Sequence, residues 1–176
     1  MDVHGLLLAA GAGRRYGGPK ALVDGWLQHA LDVLAEGGCH DRTVVLGAAA
    51  DRVRPLVPAD VAVVVADDWS EGMGASLRAG LRALGPSDAA LVHLVDLPDV
   101  EAPVVRRVLA AGSGTSVLAR ATYDGTPGHP VLLGSDHWPA IVETAAGDRG
   151  ARDHLAAHDI VLVECGDLAT GRDVDR

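Results

Sequence analysis

The stretch Val3-His4-Gly5-Leu6-Leu7-Leu8-Ala9-Ala10, near the start of the chain, is an apolar run that leads directly into Gly11. Such a run is typical of a strand that is buried on both faces of a sheet and is followed by a tight turn. Further short apolar runs, rich in β-branched residues, predict more buried strands. They lie at residues 43–46, 61–65, 89–95, 115–119 and 160–163.

Between these runs, apolar residues recur at helical spacing with charged residues on the opposite face. The pattern predicts helices over residues 28–35, 75–84, 104–111, 138–145 and 151–157. Strands that alternate with helices favour right-handed crossovers and a parallel sheet with helices on both faces. We therefore predict a three-layer α/β/α sandwich with a mainly parallel sheet.

Composition bounds the size and the surroundings of the protein. The 176 residues are 48% hydrophobic and contain no Pro- or Ser-rich linker, which indicates a single domain spanning 1–176. A formal charge of −9 argues against nucleic acid and against an anionic membrane as partners. Because we find no secretory signal and no membrane-spanning run, we expect a cytoplasmic protein. Cys39 and Cys165 are isolated in sequence and are expected to be reduced.

The segment after the first predicted strand combines glycine with positive charge. Gly11 and Gly13 allow backbone amides to approach an anion, while Arg14, Arg15 and Lys20 supply cations. Lys20 is the only lysine beside fourteen arginines, which indicates a need for a compact ammonium group. Because ligands of open α/β sheets gather at the carboxyl ends of the strands, this loop is interpreted as a triphosphate cradle.

Two common nucleotide motifs do not match this loop. A Walker loop requires Gly-Lys-Ser/Thr, whereas Pro19 precedes Lys20 and Ala21 follows it. A dinucleotide fingerprint requires glycine at the position of Tyr16.

The loop Leu8-Ala9-Ala10-Gly11, followed by Arg15, Gly17, Pro19 and Lys20, resembles the signature loop of the MobA-like nucleotidyltransferases. The resemblance implies a nucleotide-diphospho-sugar transferase-like fold, with Lys20 and Arg15 as catalytic residues. It also implies a nucleotide site formed by Leu8, Ala9, Ala10, Gly11, Gly13 and Arg14. Ala10 resembles the cytidylyl branch rather than the guanylyl branch and favours CTP, with GTP as the alternative.

A second segment, residues 68–81, resembles the part of the molybdopterin cytidylyltransferase branch that holds the nucleobase. The resemblance adds Gly72, Met73, Gly74 and Ser76 to the nucleotide site. Glycines bring the backbone close to a flat ring. Ser76 can donate a hydrogen bond to the base, or it can cap its own helix.

Candidate metal ligands stand at the end of a predicted strand and near the end of the sequence. Asp96 follows the strand at residues 89–95 and resembles the metal-binding aspartate of the family, although Asp before Leu-Pro also suits a simple turn. One carboxylate with phosphate oxygens is enough to begin a Mg²⁺ site. Asp173 in Asp173-Val174-Asp175 resembles a second metal contact of the family, whereas Asp99 is interpreted as a turn or helix-cap residue.

The segments around residues 128–133 and 147–152 resemble the acceptor side of the same enzymes. The resemblance implies that His129, Arg149 and Arg152 bind the acceptor. For His129, the alternative is simple packing beside Pro130. For Arg149 and Arg152, the alternative is a solvated basic helix face. His154 and His158 have the i, i+4 spacing of metal ligands, but the sequence places no third ligand, so we interpret them as a solvent-exposed helix face.

The resemblance implies a Mg²⁺-dependent nucleotidyltransferase that moves a nucleoside monophosphate from an NTP to the terminal phosphate of molybdopterin, with a molybdenum hydroxylase as a partner. An NAD(P)H-dependent oxidoreductase of the nicotine blue type is the rival from another class. The basic residues of the loop and Asp96 argue against it, because hydride transfer has no evident use for them. A non-catalytic chaperone of the molybdenum cofactor is the third alternative.

Overall fold

In the computed structural model, residues 1–175 are described, so Arg176, the last residue of the predicted domain, lies outside the described residues. A seven-stranded sheet forms the centre, in the order β3-β2-β1-β4-β6-β5-β7. The strands are β1 (Val3–Ala9), β2 (Arg42–Leu46), β3 (Ala62–Val65), β4 (Ala89–Leu94), β5 (Leu118–Tyr123), β6 (Thr126–Gly134) and β7 (Val161–Glu164).

All pairings that leave out β6 are parallel, whereas β6 runs antiparallel to both of its neighbours, β4 and β5. The predicted mainly parallel α/β sheet is therefore confirmed. Two details of the prediction are wrong: the strand expected at 115–119 begins at Leu118, and β6 was not foreseen. The hairpin β5–β6 turns at Asp124 and Gly125, which have φ of 52° and 83°. Asp-Gly is a strong signal for such a two-residue hairpin turn.

Six α-helices connect the strands, and they overlap all five of the predicted helices. They are α1 (Trp26–Gly37), α2 (Ala50–Val53), α3 (Met73–Ala83), α4 (Ala102–Leu109), α5 (Trp138–Thr144) and α6 (Arg152–Ala156). The short α2 was not predicted, because four residues are too few to show helical periodicity.

The helices cover both faces of the sheet and bury a separate apolar core on each side. Leu7 of β1 packs with residues of α1 and α4, whereas Leu6 and Leu8 pack with residues of α3, α5 and α6. This alternation follows from the two-residue period of a strand. Leu6 and Leu7 are fully buried, so we expect truncation of either to alanine to destabilise the fold by about 3–5 kcal/mol.

Two further sequence expectations concern the cysteines and the membrane. Cys39 and Cys165 are both free and buried, as expected. Within residues 1–175, the helices are all too short or too polar to cross a lipid bilayer.

Candidate functional site

The candidate site lies at the sheet edge where β1 and β4 end, at Ala9 and Leu94. The antiparallel direction of β6 brings a further segment to this edge. Val131 of β6 pairs with Val92 of β4, so His129, two residues earlier in β6, lies near the end of β4. The topology therefore unites the glycine loop, the residues after β4 and the beginning of β6.

The glycine loop is closed upon itself by Gly13. The Gly13 carbonyl oxygen accepts hydrogen bonds from the amides of Gly17 at 2.8 Å and Gly18 at 3.0 Å. Gly13 has a φ of 60°, and a Cβ there would lie 1.8 Å from the Gly18 oxygen. Only glycine fits this position. Gly13 thus shapes the loop, whereas Gly11 faces open space, with nothing within 4 Å of an added Cβ.

Lys20 links three separate parts of the chain. Its Nζ donates to Asp96 Oδ2 and to Asp175 Oδ1, both at 2.8 Å, and its side chain is only 13% exposed. Burial acts to lower the pKa of Lys20, but the two carboxylates outweigh it and raise the pKa above its ordinary value. The ammonium group therefore stays charged, which suits the role predicted for it.

Asp96, Asp173 and Asp175 form an acidic cluster in which one oxygen from each carboxylate lies within 4.8 Å of the others. Burial and the hydrogen bond to Asp175 raise the pKa of Asp173, whereas the hydrogen bond from Lys20 lowers the pKa of Asp175. Hard oxygen donors at this separation fit Mg²⁺ or Mn²⁺. The sequence prediction named Asp96 and Asp173 but missed Asp175. The sequence signal for Asp175 was its two-residue spacing from Asp173, which places the side chains of these two residues on one side of an extended segment.

The C-terminal segment is tethered where it approaches this cluster. Asp99 Oδ2 accepts hydrogen bonds from the Thr170 amide at 2.7 Å and from its hydroxyl at 2.6 Å. The Val174 amide donates to the Asp96 carbonyl oxygen at 3.1 Å. Asp99 lies in a turn, in agreement with one of its two predicted alternatives, and the N-cap of α4 is Glu101 instead. The Asp99 side chain anchors the segment that carries Asp173 and Asp175.

A cavity of about 220 Å³ opens beside the glycine loop. Its walls include much of the predicted nucleotide site and several other residues. They are Leu8, Ala9, Ala10, Gly11, Trp69, Gly72, Met73, Ser76, Leu94, Asp96 and Asp148. Ser76 lies inside α3, whose N-cap is Gly72, so Ser76 does not cap its helix. Trp69, Leu94 and Asp148 were not predicted.

Gly74 occupies a different place from the one predicted. A Cβ on Gly74 would lie 2.7 Å from the Ala146 amide nitrogen, so this glycine allows α3 to pack closely against the loop after α5. Arg78 of α3 reinforces the same contact by donating to the Ala145 carbonyl oxygen. Gly74 is thus a packing residue beside the cavity rather than part of its wall.

A second cavity of about 100 Å³ adjoins the first and shares Leu8, Met73 and Asp148 with it. The predicted acceptor residues His129, Arg149 and Arg152 all line it. Arg120 joins them as a third arginine that was not predicted, and its guanidinium donates to the Gly128 carbonyl oxygen at 3.0 Å. Burial, and to a lesser extent Arg152, lowers the pKa of Arg120. Arginine side chains suit planar, bidentate recognition of phosphate.

His129 in this second cavity is a neutral imidazole. Burial first, and Arg120 and His93 second, lower the pKa of His129 to about 3. It can therefore donate or accept a hydrogen bond at neutral pH without adding charge.

The two predicted arginines of the glycine loop lie at the margin of the candidate site. Arg14 and Arg15 are both exposed. Arg15 Nη1 lies 4.0 Å from Asp175 Oδ2, with 81% of its side chain accessible. The structure therefore groups Lys20 with the acidic cluster and leaves these two guanidinium groups free to move toward a ligand.

Comparisons with known proteins identify relatives of this chain. Residues 5–161 match the family model described as the MobA-like NTP transferase domain. Nicotine blue oxidoreductase of Paenarthrobacter nicotinovorans is 38% identical over 187 residues, covering 98% of this chain and 92% of the relative.

Two solved structures are similar over nearly the whole chain. An Rv0371c homologue from Mycobacterium sp. strain JC1 is 28% identical, with a TM-score of 0.86 over 99% of this chain and 90% of that one. Rv0371C of Mycobacterium tuberculosis in complex with manganese is 26% identical, with a TM-score of 0.80 over 99% and 94%. The fold and the family predicted from the sequence are both confirmed.

Proposed function

Because the chain belongs to the MobA-like NTP transferase domain family, we propose that it transfers a nucleotidyl group, with CTP as donor, to the terminal phosphate of molybdopterin. One observation carries the proposal: a cavity beside Lys20 and the acidic cluster adjoins a cavity lined by three arginines. Two anionic substrates that must react with each other need two adjacent sites of this kind.

The proposed reaction forms one P–O bond and breaks another. A terminal phosphate oxygen of the acceptor attacks the α-phosphorus of CTP, and the bond to the β-phosphate breaks, so pyrophosphate carries away the electron pair. The nucleophile is already an anion, so the chain needs no general base. Its residues align the two substrates and stabilise the negative charge that develops on the triphosphate.

Lys20 is placed to stabilise that charge. Its ammonium group compensates the charges of Asp96 and Asp175, each at 2.8 Å. A triphosphate carries several negative charges on one ligand, so Lys20 can turn from the carboxylates to the phosphate oxygens. Arg15, exposed and only loosely paired, supplies a second cation at the mouth of the loop.

The acidic cluster would hold Mg²⁺ through Asp96, Asp173 and Asp175. When bound, Mg²⁺ neutralises charge on the triphosphate oxygens. The manganese complex of the Mycobacterium tuberculosis relative supports a divalent cation in this fold.

The arginine-lined cavity would hold the acceptor. Arg120, Arg149 and Arg152 provide cationic donors for its phosphate, and neutral His129 offers a hydrogen bond to a pterin edge. A molybdenum hydroxylase, which uses the resulting dinucleotide cofactor, is the proposed partner protein.

Ala10 and Ser76 line the proposed base site. The Ala10 methyl group narrows the space beside the base, which favours the smaller pyrimidine, and the Ser76 hydroxyl can bind a polar edge. We therefore propose CTP before GTP.

The 38% identical relative supports a second candidate, an NAD(P)H-dependent oxidoreductase. This candidate leaves the contact of Lys20 with the acidic cluster without a chemical role, because hydride transfer needs no triphosphate clamp. The third candidate, a non-catalytic chaperone, has no need of metal ligands for catalysis. Asp173 and Asp175 complete an acidic cluster with Asp96, so this candidate gains no support from the structure.

Calorimetric binding of CTP, GTP, ATP and NADPH, each with and without Mg²⁺, separates these candidates. Selective, magnesium-dependent binding of CTP is the expected result. Selectivity for GTP would keep the chemistry and change the product. Binding of NADPH with no binding of any triphosphate would overturn the proposed transferase.

A further inference from the structure

Three histidines from two segments meet outside both cavities. His137 lies in the turn Ser135–His137 before α5, His154 lies in α6, and His158 follows α6. One ring nitrogen from each lies within 4.8 Å of the others. The sequence interpretation of His154 and His158 as a solvent-exposed face lacked a third ligand, and the fold supplies it as His137.

The hydrogen bonds of two of these rings determine which nitrogen is free. His137 Nε2 lies 3.1 Å from the Ser116 carbonyl oxygen, and His158 Nδ1 lies 2.7 Å from the His154 carbonyl oxygen. A carbonyl oxygen only accepts, so both of these nitrogens carry the proton. His137 Nδ1 and His158 Nε2 therefore hold lone pairs. An N–H bonded to a backbone carbonyl, with the other nitrogen free, is the support that metal-ligating histidines require.

The third ring, that of His154, is held by the lone pair of His137 Nδ1. His154 Nε2 lies 2.9 Å from His137 Nδ1, so in this arrangement His154 donates its proton to that lone pair. Around zinc, two imidazole nitrogens about 2.0 Å from the ion stand roughly 3.3 Å apart. A shared ion thus requires the rings to separate by a few tenths of an ångström. The Nε2 proton would move to Nδ1 or leave to solvent.

The three rings also pack directly against one another. The His154 and His158 rings stack with centroids 4.1 Å apart, and His137 meets both edge-on. Burial, and then the neighbouring His158 and His137, lowers the pKa of His154. The lowered pKa favours the neutral form of His154, and neutral imidazole is the form that binds a metal ion.

We propose that His137, His154 and His158 form a binding site for a divalent transition metal that prefers imidazole, such as Zn²⁺ or Co²⁺, with water in the fourth position. Nitrogen ligands distinguish this site from the oxygen ligands of the acidic cluster. The bound ion would fasten α6 to the turn before α5. Because α6 begins at Arg152, which lines the arginine cavity, the ion would also fix one wall of that cavity.

Titration of the full chain with Co²⁺, in excess Mg²⁺ to occupy the acidic cluster, tests the site through visible absorption. The expected result is a single bound Co²⁺ with the intense bands of four-coordinate geometry, displaced by Zn²⁺. His154→Gln should weaken Co²⁺ binding by more than about a hundredfold. Even the loss of a residue that only hydrogen-bonds to a metal ligand lowers metal affinity by about 10- to 100-fold. His158→Gln should give a similar loss.

Two controls localise the signal. His40→Gln removes an exposed histidine elsewhere and should leave the Co²⁺ spectrum and affinity unchanged. Circular dichroism checks that all variants fold. A weak six-coordinate spectrum for the natural chain, or equal Co²⁺ affinity in folded His154→Gln, would overturn the proposal. Either result leaves the proposed nucleotidyl transfer intact, since that reaction is tested by nucleotide binding.

Discussion

The two adjoining cavities share Leu8, Met73 and Asp148, yet they are built in different ways. One part of the cavity beside the glycine loop is lined by small residues, which are Ala9, Ala10, Gly11, Gly72 and Ser76. The neighbouring cavity has three long cationic side chains, Arg120, Arg149 and Arg152, beside several apolar ones. The first can select a ligand by shape, and the second by charge. The reaction proposed here needs both kinds of selection.

The largest expected effect lies where the loop meets the acidic cluster. Lys20→Ala should lower turnover by about a hundredfold or more, because it removes one preorganised charge donor from the triphosphate. Steady-state kinetics with saturating CTP measure it. Arg82→Ala, at an exposed position near the end of α3, is the matched control and should behave like the natural chain. Turnover within a few-fold of normal in Lys20→Ala would remove this residue from the mechanism.

The second-largest effect is expected for Asp96→Asn. This substitution should raise the Mg²⁺ concentration needed for half-maximal activity by at least about tenfold. The amide keeps the shape of the side chain but removes the charge that pairs with Lys20 and is proposed to bind the cation. A magnesium titration of initial rates measures the shift. An unchanged titration would exclude Asp96 as a metal ligand.

A change confined to the arginine cavity should separate the two cavities directly. Arg152→Gln should raise KM for the acceptor roughly tenfold, as expected for loss of one hydrogen bond between charged groups, while the Kd for CTP stays the same. Kinetics for the acceptor and calorimetry for CTP provide the two readouts. Equal losses for both ligands would show that the cavities do not act separately.

Selection by shape should give a smaller effect. Ala10→Gly should shift the preference between CTP and GTP toward GTP by about tenfold, within the range that one methyl group contributes. Competition between the two nucleotides measures it. A preference that is unaltered in Ala10→Gly would place the base away from Ala10.

The smallest effect is expected for the titration of His129. With its pKa lowered to about 3, the imidazole should stay neutral down to pH 5, whereas an ordinary histidine titrates near 6.5. Because the unfolded chain takes up this proton first, His129 should reduce stability as pH falls below about 6.5, until the pH nears 3. An NMR titration of the imidazole C–H signals checks this, and an inflection near pH 6.5 would show that the ring is solvated.

The same contrast explains what could be predicted from the sequence. A loop whose backbone closes on itself requires glycine at a fixed position, as at Gly13, so the loop from Gly11 to Lys20 was recognisable. The alternation of apolar runs likewise predicted the parallel strands. Gly74 shows the limit of this reasoning, because a glycine that contacts a ligand and one that contacts Ala146 look alike in sequence.

Contacts between distant segments could not be predicted. Arg120 joins Arg149 and Arg152 only because the hairpin β5–β6 places it there, and Asp124-Gly125 was the local signal for that hairpin. His137 and His154 are seventeen residues apart, and no periodicity links them. Asp175 could have been predicted, since its two-residue spacing from Asp173 places the two side chains on one side of an extended segment.

The central claim is the transfer itself, and product analysis tests it most directly. The purified chain is incubated with CTP, Mg²⁺ and molybdopterin, pyrophosphate release is followed, and the pterin product is identified by mass spectrometry. The account predicts stoichiometric pyrophosphate and a pterin cytosine dinucleotide, both formed about a hundredfold or more slowly by Lys20→Ala. Oxidation of NADPH by the same chain with an electron acceptor, without pyrophosphate from any triphosphate, would contradict it.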